Sequence, residues 1–385
     1  MLVVGAGPAG SVAALVLARA GVRVGLVDRA AFPRDKLCGD TINPGTLSML
    51  DRLGVGDAVR ARARPIAGMD ITGPGGTVVS AGYPEGVRGA ALLRRHLDML
   101  LVEAATRAGA SFESGVVARR PRWDAAGRVA GVVGIARGKS YDVRARLVIA
   151  ADGRASKIAA AAGLCRFARA PKRWAYGAYY TDVARMTSHG EMHIRHRGYV
   201  GVAPLPDGLV NVCLVQEMFP RSHRDQWTPR DAIAEALSEN PMLRERFARA
   251  RSVAEATVLG PLAVDSTGAG CPGMLLAGDA AGFVDPMTGD GLRFAVRGGE
   301  LAARVALEEL MSGSPAHEAL RVARAREFTS KWRLNRTLRT LVQSPTSVSV
   351  AEQVARRWDA PVRALVRLAG DVHLVGADPH SATAG

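Results

Sequence analysis

The run Gly5-Ala6-Gly7-Pro8-Ala9-Gly10 and the acid Asp28 have the types and spacing of a dinucleotide-binding site. The first glycine permits a tight turn, the second lets the backbone approach a pyrophosphate, and the third lets a helix pack closely on a strand. Asp28 follows Gly10 by 18 residues, near the usual distance for an acid that binds a ribose 2′-hydroxyl. This motif alone leaves open whether the nucleotide is NAD or FAD.

The elements around this motif are those that the chemistry needs. Leu2 to Val4 is an apolar run typical of a strand, and Ser11 to Ala20 predicts a helix that ends at Gly21. Val22 to Val27 predicts a second buried strand with Asp28 at its end. Free N–H groups and the positive end of the helix dipole would face the phosphates. The pattern therefore predicts a βαβ unit.

Two further motifs lie far along the chain. Tyr141 to Ala150 predicts a strand that runs into Ala151-Asp152-Gly153-Arg154-Ala155-Ser156. Met274 to Ala277 predicts another buried strand, followed by Gly278-Asp279 and by a glycine-rich turn that ends at Gly291-Leu292. A long helix is predicted from Gly291 to Met311.

The three motifs together resemble the FAD-dependent group that includes p-hydroxybenzoate hydroxylase, geranylgeranyl reductases and flavin-dependent halogenases. The resemblance covers nearly residues 1 to 310. It implies FAD as the cofactor, with the acid at the end of the third strand on the ribityl hydroxyls and the turn before the long helix at the flavin ring. From the third motif it implies the binding residues Gly278, Asp279, Pro286, Gly289, Asp290, Gly291 and Leu292.

The same resemblance gives roles to residues between the motifs. The pair Asp152-Gly153 would serve both the flavin and a nicotinamide donor. Ala90 to Ala108 predicts an amphipathic helix, and the Arg-x-x-Leu-Asp pattern from Arg94 to Asp98 would bring Arg94 to the FAD phosphates. A solvated helix arginine is the alternative for Arg94.

The loop after Asp28 most resembles the geranylgeranyl reductase branch, in which a Cys-Gly pair follows the acid. Cys38 and Gly39 would then lie near the flavin, and Cys38 is the candidate catalytic residue, either tuning the flavin or donating a proton. A buried, small apolar residue is the alternative for this cysteine. In the same loop, Arg29, Arg34 and Lys36 could contact phosphate or simply solvate the chain.

The region that would contact substrate departs from the branch. Where geranylgeranyl reductases have Tyr-x-Trp-x-Phe-Pro, this chain reads Tyr199-Val200-Gly201-Val202-Ala203-Pro204, which puts a long polyprenyl substrate in doubt and indicates a roomier pocket. Tyr199 and Pro204 remain as candidate substrate contacts. Other aromatic residues that could line the substrate face, or belong to the core, are Trp174, Tyr176, Tyr179 and Tyr180. The tryptophan-rich motif of halogenases is absent.

The three histidines His189, His193 and His196 lie close together in a region that reads as strand. No carboxylate is evident beside them in the pattern, and no metal site is predicted. The four cysteines form no C-x-x-C pair, which favours a reduced, intracellular protein.

The order of these motifs predicts an α/β fold of p-hydroxybenzoate hydroxylase type. A discontinuous Rossmann-type FAD-binding domain would comprise residues 1–65, 88–172 and 266–310. An antiparallel β-sheet domain for substrate, residues 66–87 and 173–265, would be inserted into it, with a helical region at 311–385. The chain of 385 residues, 48% hydrophobic, can bury a core of that size.

The net charge of +15 arises mostly from arginines spread along the chain. It fits a solvated basic surface, or attraction to anionic cofactors or to an anionic membrane surface. Nucleic acid is not an expected partner, because no motif for it occurs and the basic residues are not interleaved with stacking aromatics. No spanning helix and no secretion signal is expected, so the protein is expected in the cytoplasm, with membrane association left open. The oligomeric state is not indicated.

The function predicted first is an FAD-dependent reductase of the geranylgeranyl reductase type. It would take electrons from NADPH, NADH or a small carrier and reduce a C=C bond of an apolar, isoprenoid or polyketide-like substrate. The alternative is an FAD-dependent aromatic monooxygenase that uses NAD(P)H and O₂ on a phenolic or polyketide-like ring. A flavoprotein that only binds lipid and an NAD-only dehydrogenase are ranked lower.

Overall fold

The structure is a computed structural model, and it describes residues 1–168, 172–196, 198–217 and 228–375. Residues 376–385 of the predicted helical region therefore lie outside the described residues. In chain order the strands are β1 (Leu2–Val4), β2 (Gly25–Asp28), β3 (Thr41–Ile42), β4 (Arg64–Ile66), β5 (Gly68–Thr72), β6 (Val78–Gly82), β7 (Gly89–Ala91), β8 (Ser111–Ser114), β9 (Val116–Trp123), β10 (Val129–Ala136), β11 (Lys139–Arg144), β12 (Val148–Ala150), β13 (Cys165–Phe167), β14 (Arg173–Thr181), β15 (His189–Arg195), β16 (Gly198–Pro204), β17 (Val210–Glu217), β18 (Arg251–Ser252), β19 (Thr257–Leu259), β20 (Val264–Ser266), β21 (Gly270–Cys271) and β22 (Met274–Leu276).

The helices follow the apolar periodicity of the sequence closely, with most ends marked by glycine, proline or a capping side chain. They are α1 (Pro8–Arg19), α2 (Pro44–Arg52), α3 (Gly56–Arg60), α4 (Arg94–Arg107), α5 (Lys157–Ala161), α6 (Pro229–Glu239), α7 (Pro241–Phe247), α8 (Gly291–Ser312), α9 (Ala316–Gln343), α10 (Pro345–Arg357) and α11 (Ala360–Ala369). Short 3₁₀ turns lie at 206–208, 278–281, 286–288 and 372–374. None of the helices in the described residues has an apolar stretch that could cross a bilayer.

The first sheet is the Rossmann-type sheet that the first motif predicts. Its strand order is β21-β22-β12-β1-β2-β8, and all neighbours are parallel except β21 and β22. The three motifs follow β1, β12 and β22, which are adjacent. Because parallel strands end at one edge of a sheet, the motifs meet there although the last lies some 270 residues from the first. The chain is thus an α/β protein of the expected class.

A second, mostly antiparallel sheet faces this edge. Its strand order is β18-β14-β17-β16-β15-β5-β6, with β19 also paired to β14, and only β15 and β5 are parallel. These strands come from two separate stretches, 68–82 and 173–259. The domain boundaries given above stay a prediction.

The predicted helix from Ala90 begins four residues late. Ala90 and Ala91 belong to β7, which pairs with β3 and β4, and the N–H of Leu92 donates to the carbonyl of Asp40. Helix α4 therefore starts at Arg94, because the preceding backbone groups are already paired in the sheet.

The C-terminal helices return to the beginning of the chain. The N–H of Gly45 donates to the carbonyl of Gly370 at 3.0 Å, and the Asn43 amide donates to the carbonyl of Ala369 at 2.9 Å. Asp371, fully buried, pairs with Arg293 on α8 at 2.8 Å and with Lys331 on α9 at 3.0 Å. Helices α9 to α11 are thereby fixed over the second sheet.

Candidate active site

The loop between β1 and α1 has the shape that its glycines predict. Gly5 has φ of +99°, and a Cβ on it would lie 2.3 Å from the carbonyl oxygen of Ala151. A Cβ on Gly10 would lie 1.8 Å from the carbonyl oxygen of Gly5. Gly7, just before α1, supplies no side-chain cap, so the first N–H groups of the helix are left for another acceptor. Backbone this close admits no side chain at either position.

Asp28 fastens this loop to the end of β2. Its side chain accepts the N–H of Ala6 at 2.7 Å and the N–H of Ala30 at 2.8 Å, and the residue is 8% exposed. Each carboxylate oxygen therefore already accepts a hydrogen bond from a backbone N–H, and a ribose contact would use the remaining lone pairs. The neighbouring Arg29 is exposed. The ribose role of Asp28 stays a prediction.

Two arginines share the carboxylate of Asp98 on α4. Arg94 binds it through two hydrogen bonds of 2.9 Å, and Arg34 approaches it at 3.0 Å. Arg34 is the one beside the dinucleotide loop, since a Cβ on Gly7 would lie 3.5 Å from its Nη2 atom. Arg94 is buried, which rules out the solvated helix arginine. A phosphate contact of either arginine stays a prediction.

Cys38 lies between these arginines and the second sheet. It lines the central cavity, and its carbonyl accepts the side-chain amide of Asn211 at 2.9 Å. Burial raises the pKa of the Cys38 thiol, while the nearby Arg94 opposes that rise. The thiol is therefore held in its protonated form at neutral pH, which is the form that could donate a proton.

Asp40, two residues later, was not singled out from the sequence, yet it centres the polar cluster behind Cys38. The Tyr179 hydroxyl donates to its carboxylate at 2.8 Å and the Asn211 amide donates at 2.7 Å. Burial raises the pKa of Asp40 to about 6, against the effect of these hydrogen bonds. The available signal was its position directly after the Cys-Gly pair, but its side-chain partners Tyr179 and Asn211 are more than a hundred residues away.

The end of β22 reaches the same place. Gly278 has φ of +61°, and a Cβ on it would lie 2.8 Å from the Cβ of Ala9 in α1. Asp279 lies 3.8 Å from the Lys36 ammonium, and burial lowers the pKa of Lys36. On α8, a Cβ on Gly299 would lie 2.2 Å from the carbonyl oxygen of Ala9, so α8 and α1 touch through backbone. Sequence reasoning did not single out Gly299.

The turn before α8 is held by buried ion pairs. Asp285 accepts Arg173 at 2.8 Å and the Tyr199 hydroxyl at 2.9 Å. Asp290 pairs with Lys331 at 3.1 Å, and burial raises the pKa of Asp290. The remaining predicted residues of this turn, Pro286, Gly289, Gly291 and Leu292, line the cavity.

Asp152 carries a polar atom that the described residues leave unpaired. Its Oδ2 accepts the N–H of Lys157 at 3.2 Å, whereas its buried Oδ1 has no hydrogen-bond partner among them. Burial raises the pKa of this carboxyl. Gly153 beside it has φ of +86° and lines the cavity. This oxygen is thus available to accept a hydrogen bond from a bound group or from water.

These features fit FAD. The α1 N-terminus and Arg34 suit a pyrophosphate, the glycine cradles at Gly5 and Gly10 suit close backbone approach, and Asp152 and Asp279 suit hydroxyl or ring N–H donors. All lie at one edge of the first sheet.

One cavity of about 450 Å³ joins this edge to the second sheet. At one end it is lined by Gly7, Cys38, Gly153, Asp279 and the turn before α8. At the other end it is lined mainly by apolar side chains of the second sheet and of the last helices, among them Met69, Ile71, Val79, Met192, Ile194, Leu338, Val348 and Val362. The cavity is thus polar near the dinucleotide loops and apolar beyond them.

Most of the aromatic residues that the sequence suggested as substrate contacts do not line the cavity. Tyr199, Gly201 and Ala203 of β16 do line the cavity. On β14, however, it is Ala175 that lines it, and successive side chains of a strand point to opposite faces. Trp174 and Tyr176 therefore pack on the other side, in the cluster with α6.

The remaining aromatic residues of β14 and the end of β16 are placed as follows. Tyr179 binds Asp40, and Tyr180 packs edge-on against Phe247 at 5.3 Å. Pro204 is buried, and the cavity lining found in the described residues does not include it.

The histidines do have carboxylate partners, against the expectation. His189 pairs with Asp70 at 2.8 Å and His193 pairs with Glu191 at 2.9 Å. Glu191 is also held by Arg246 at 2.6 Å. Asp70 was missed because it comes from the distant strand β5. Glu191 lies two residues before His193 on the same strand, and the period-two pattern of a strand could have indicated that pair.

Comparisons with known proteins agree with the site. The family model described as FAD binding domain matches residues 1–326. Menaquinone reductase of Mycobacterium tuberculosis is 31% identical over 79% of this chain and 76% of its own length. Digeranylgeranylglycerophospholipid reductase 2 of Methanopyrus kandleri is 33% identical over 80% of this chain and 77% of its own length.

Solved structures share the fold. A triple mutant of a flavin-dependent brominase superimposes with a TM-score of 0.82 at 17% identity, over 98% of this chain and 95% of its own. A geranylgeranyl bacteriochlorophyll reductase-like protein from Thermoplasma acidophilum gives 0.74 at 23% identity, over 96% and 98%. The chain therefore belongs to the FAD binding domain family, as an FAD-dependent oxidoreductase of the geranylgeranyl reductase group.

Proposed function

We propose that this protein reduces a C=C bond in an apolar, isoprenoid-type substrate. The observation that carries the proposal is the single cavity that begins at the dinucleotide loops and continues between the second sheet and helices α9 to α11. A long apolar chain could lie in its far half with its reacting bond near Cys38. The relatives named above are reductases of a prenylated quinone and of a prenylated lipid by their names, which supports the same substrate class.

Gly201 and Ala203 agree with this substrate class, although they depart from the pattern of the branch. Both line the cavity, and a Cβ on Gly201 would meet only ordinary contacts of 3.7 Å and more. The space that tryptophan and phenylalanine would fill is therefore open to substrate. We infer a bulkier or more branched chain than a reductase with both aromatics would take.

The chain's own residues have defined tasks in this reaction. FAD, when bound, would supply the hydride chemistry. The α1 N-terminus and Arg34 would bind its phosphates, and the apolar walls would exclude water from the reacting bond. Cys38 would hold the proton that the second carbon of the bond receives, and Asp40 would be the nearest group to replace it.

We further propose NADPH or NADH as the electron donor. Its support is the Asp152-Gly153 pair, in which Asp152 has a carboxylate oxygen without a partner among the described residues and the left-handed Gly153 lines the cavity. A small electron carrier is the alternative.

The test is an anaerobic turnover of the FAD-loaded protein with a prenylated quinone and, separately, a prenylated lipid. The expected product carries two additional hydrogens, and NADPH bleaches the flavin absorbance before substrate is added. Product that forms only with O₂, and that carries an added oxygen, would replace this function with aromatic or allylic monooxygenation.

A further inference from the structure

Helix α10 has no buried residue, although it covers the cavity. Its inner face lines the cavity through Ser347, Val348, Ala351, Glu352 and Ala355. Few helices of a folded protein lack a buried position, because most helical stability comes from packing. Helix α10 is therefore a thin wall with the cavity on one side and the outside of the molecule on the other.

The outer face of this wall carries exposed apolar side chains among polar ones such as Ser349 and Gln353. Val350 and Val354 lie one turn apart on α10, and Trp358 directly follows the helix in an extended conformation; the three are 54%, 46% and 64% exposed. We call these three residues the outer stripe. Val78 on the β5–β6 hairpin is 47% exposed and borders the same shallow cleft as Trp358, so it extends the stripe. A row of large apolar side chains in this position needs a partner.

The rim of the stripe is basic. Arg357 adjoins Trp358 and is exposed, as is Arg367 on α11 beside the exposed Leu368. Arg363, also exposed, is paired with Asp359 at 2.7 Å. Over residues 316–375 the sequence has eleven basic and five acidic residues. An apolar stripe with arginines around it is the composition of a helix that lies in a membrane interface, where the arginines meet anionic headgroups.

We propose that the outer stripe docks the protein on an anionic lipid bilayer, with α10 lying in the headgroup region. The stripe and Val78 would enter the apolar boundary, and Arg357 and Arg367 would bind lipid phosphates. An apolar molecule in the bilayer would then be separated from the cavity only by α10. A second copy of the chain is a poorer occupant, because a symmetric contact would bring the two basic rims face to face.

The test measures binding of the FAD-loaded, full-length protein to vesicles, by flotation. One set contains phosphatidylglycerol mixed with phosphatidylcholine, and the other contains phosphatidylcholine alone. We expect binding to the first set to exceed binding to the second and to weaken with salt. The variant Trp358→Ala should lower the partition coefficient about tenfold, since a tryptophan side chain leaves the interface.

The matched control is Trp123→Ala, which removes another exposed tryptophan, at 44% against 64% for Trp358, from β9. This variant should bind vesicles as the wild-type protein does. Equal loss in both variants, or no binding of the wild-type protein to either vesicle, would overturn the proposal, and so would light scattering that shows a dimer in place of vesicle binding. The readout requires no turnover, so its failure is distinguishable from failure of the proposed reaction.

Discussion

The Tyr179 hydroxyl donates a hydrogen bond of 2.8 Å to the carboxylate of Asp40, which is itself fully buried. Asn211 holds both this carboxylate and the carbonyl of Cys38, so the three residues form one unit behind the candidate catalytic thiol. Neither Tyr179 nor Asn211 is close to Cys38 in sequence. The acid therefore has a fixed position relative to the thiol and a pKa raised by burial to about 6.

This pKa predicts a pH-dependent stability that the Asp40→Asn variant removes. A carboxyl whose pKa rises on folding stabilises the fold below its unfolded pKa and loses that contribution as pH rises toward about 6. The variant should thus gain stability relative to wild type between pH 4 and pH 7, by up to about 3 kcal/mol at about 1.4 kcal/mol per unit. Urea unfolding at several pH values measures it. A stability difference that does not change with pH would show that Asp40 is not the titrating group.

The same variant tests the link to Cys38. Replacing the carboxylate by a neutral amide removes a charge that helps to raise the thiol pKa. The pH profile of Cys38 alkylation should therefore shift to lower pH in Asp40→Asn. A background in which Cys165, Cys213 and Cys271 are replaced by serine leaves Cys38 as the one thiol that reports. An unchanged profile would contradict the coupling.

The Arg173–Asp285 pair should be among the most sensitive contacts of the site. Both residues are buried, at 2% and 4% exposed, and Asp285→Asn leaves the guanidinium without its charge partner. Loss of one partner of a buried pair costs about 3–5 kcal/mol. Asp142→Asn, which breaks the exposed pair with Arg122, should cost less than about 1 kcal/mol. If both variants unfolded at the same urea concentration, the buried Arg173–Asp285 pair would not contribute more to stability than the exposed pair.

Gly201→Leu should separate substrate binding from FAD binding. The new side chain enters the open part of the cavity, so we expect the KM for an isoprenoid substrate to rise at least about tenfold while FAD occupancy stays at the wild-type level. Gly201→Ala, whose added Cβ meets only ordinary contacts, should change neither the KM nor the FAD occupancy much. If Gly201→Leu lost FAD instead, the assignment of this half of the cavity to substrate would be wrong.

Glu352 should lock α10 to the β5–β6 hairpin. Its carboxylate accepts the N–H of Gly75 at 2.9 Å and of Thr77 at 3.0 Å. Burial alone would raise the pKa of Glu352, and these hydrogen bonds outweigh it, so the pKa is lowered. These hydrogen bonds should persist above the ordinary pKa of a glutamate and be lost as pH falls through the lowered pKa of Glu352.

Hydrogen exchange of the α10 amides measures how firmly Glu352 holds this helix to the hairpin. Amides of 345–357 should exchange about tenfold faster in Glu352→Ala, since bonds of a charged acceptor are worth about 1.5–3 kcal/mol. Glu318→Ala, on an exposed turn of α9, is the control and should leave that exchange unchanged. Unchanged exchange in Glu352→Ala would mean that other contacts of α10 hold it.

The sequence predicted the parts of the site that are local. The run from Gly5 to Gly10 and the strand before Gly278 carry their structure in consecutive residues, and the structure agrees with both. The parts it did not predict depend on long separations. Asp40 and Asn211 are 171 residues apart, and Glu352 is 277 residues from Gly75, whose N–H donates to it. No periodicity within either segment encodes such a contact.

On β14, the sequence did not determine which side chains face the cavity. Trp174 and Tyr176 alternate with Ala175, and either set could face the cavity until it is known which side the helix α6 covers. The large aromatics belong to the helix side, because a packed core there takes their volume, and the small alanine leaves room for the cavity. Aromatic type alone therefore indicated burial and not substrate contact.

The anchoring of Asp371 against α8 and α9, with Gly45 beside it, has a consequence for biosynthesis. The first sheet and the dinucleotide loops can close once about 300 residues have emerged from the ribosome, because α8 is then complete enough to cover α1. The apolar half of the cavity has no outer wall until α10 and α11 emerge as well. During that interval the nascent chain would expose the apolar face of its second sheet, which makes this stage of synthesis the one at which a chaperone or a nearby bilayer would matter most.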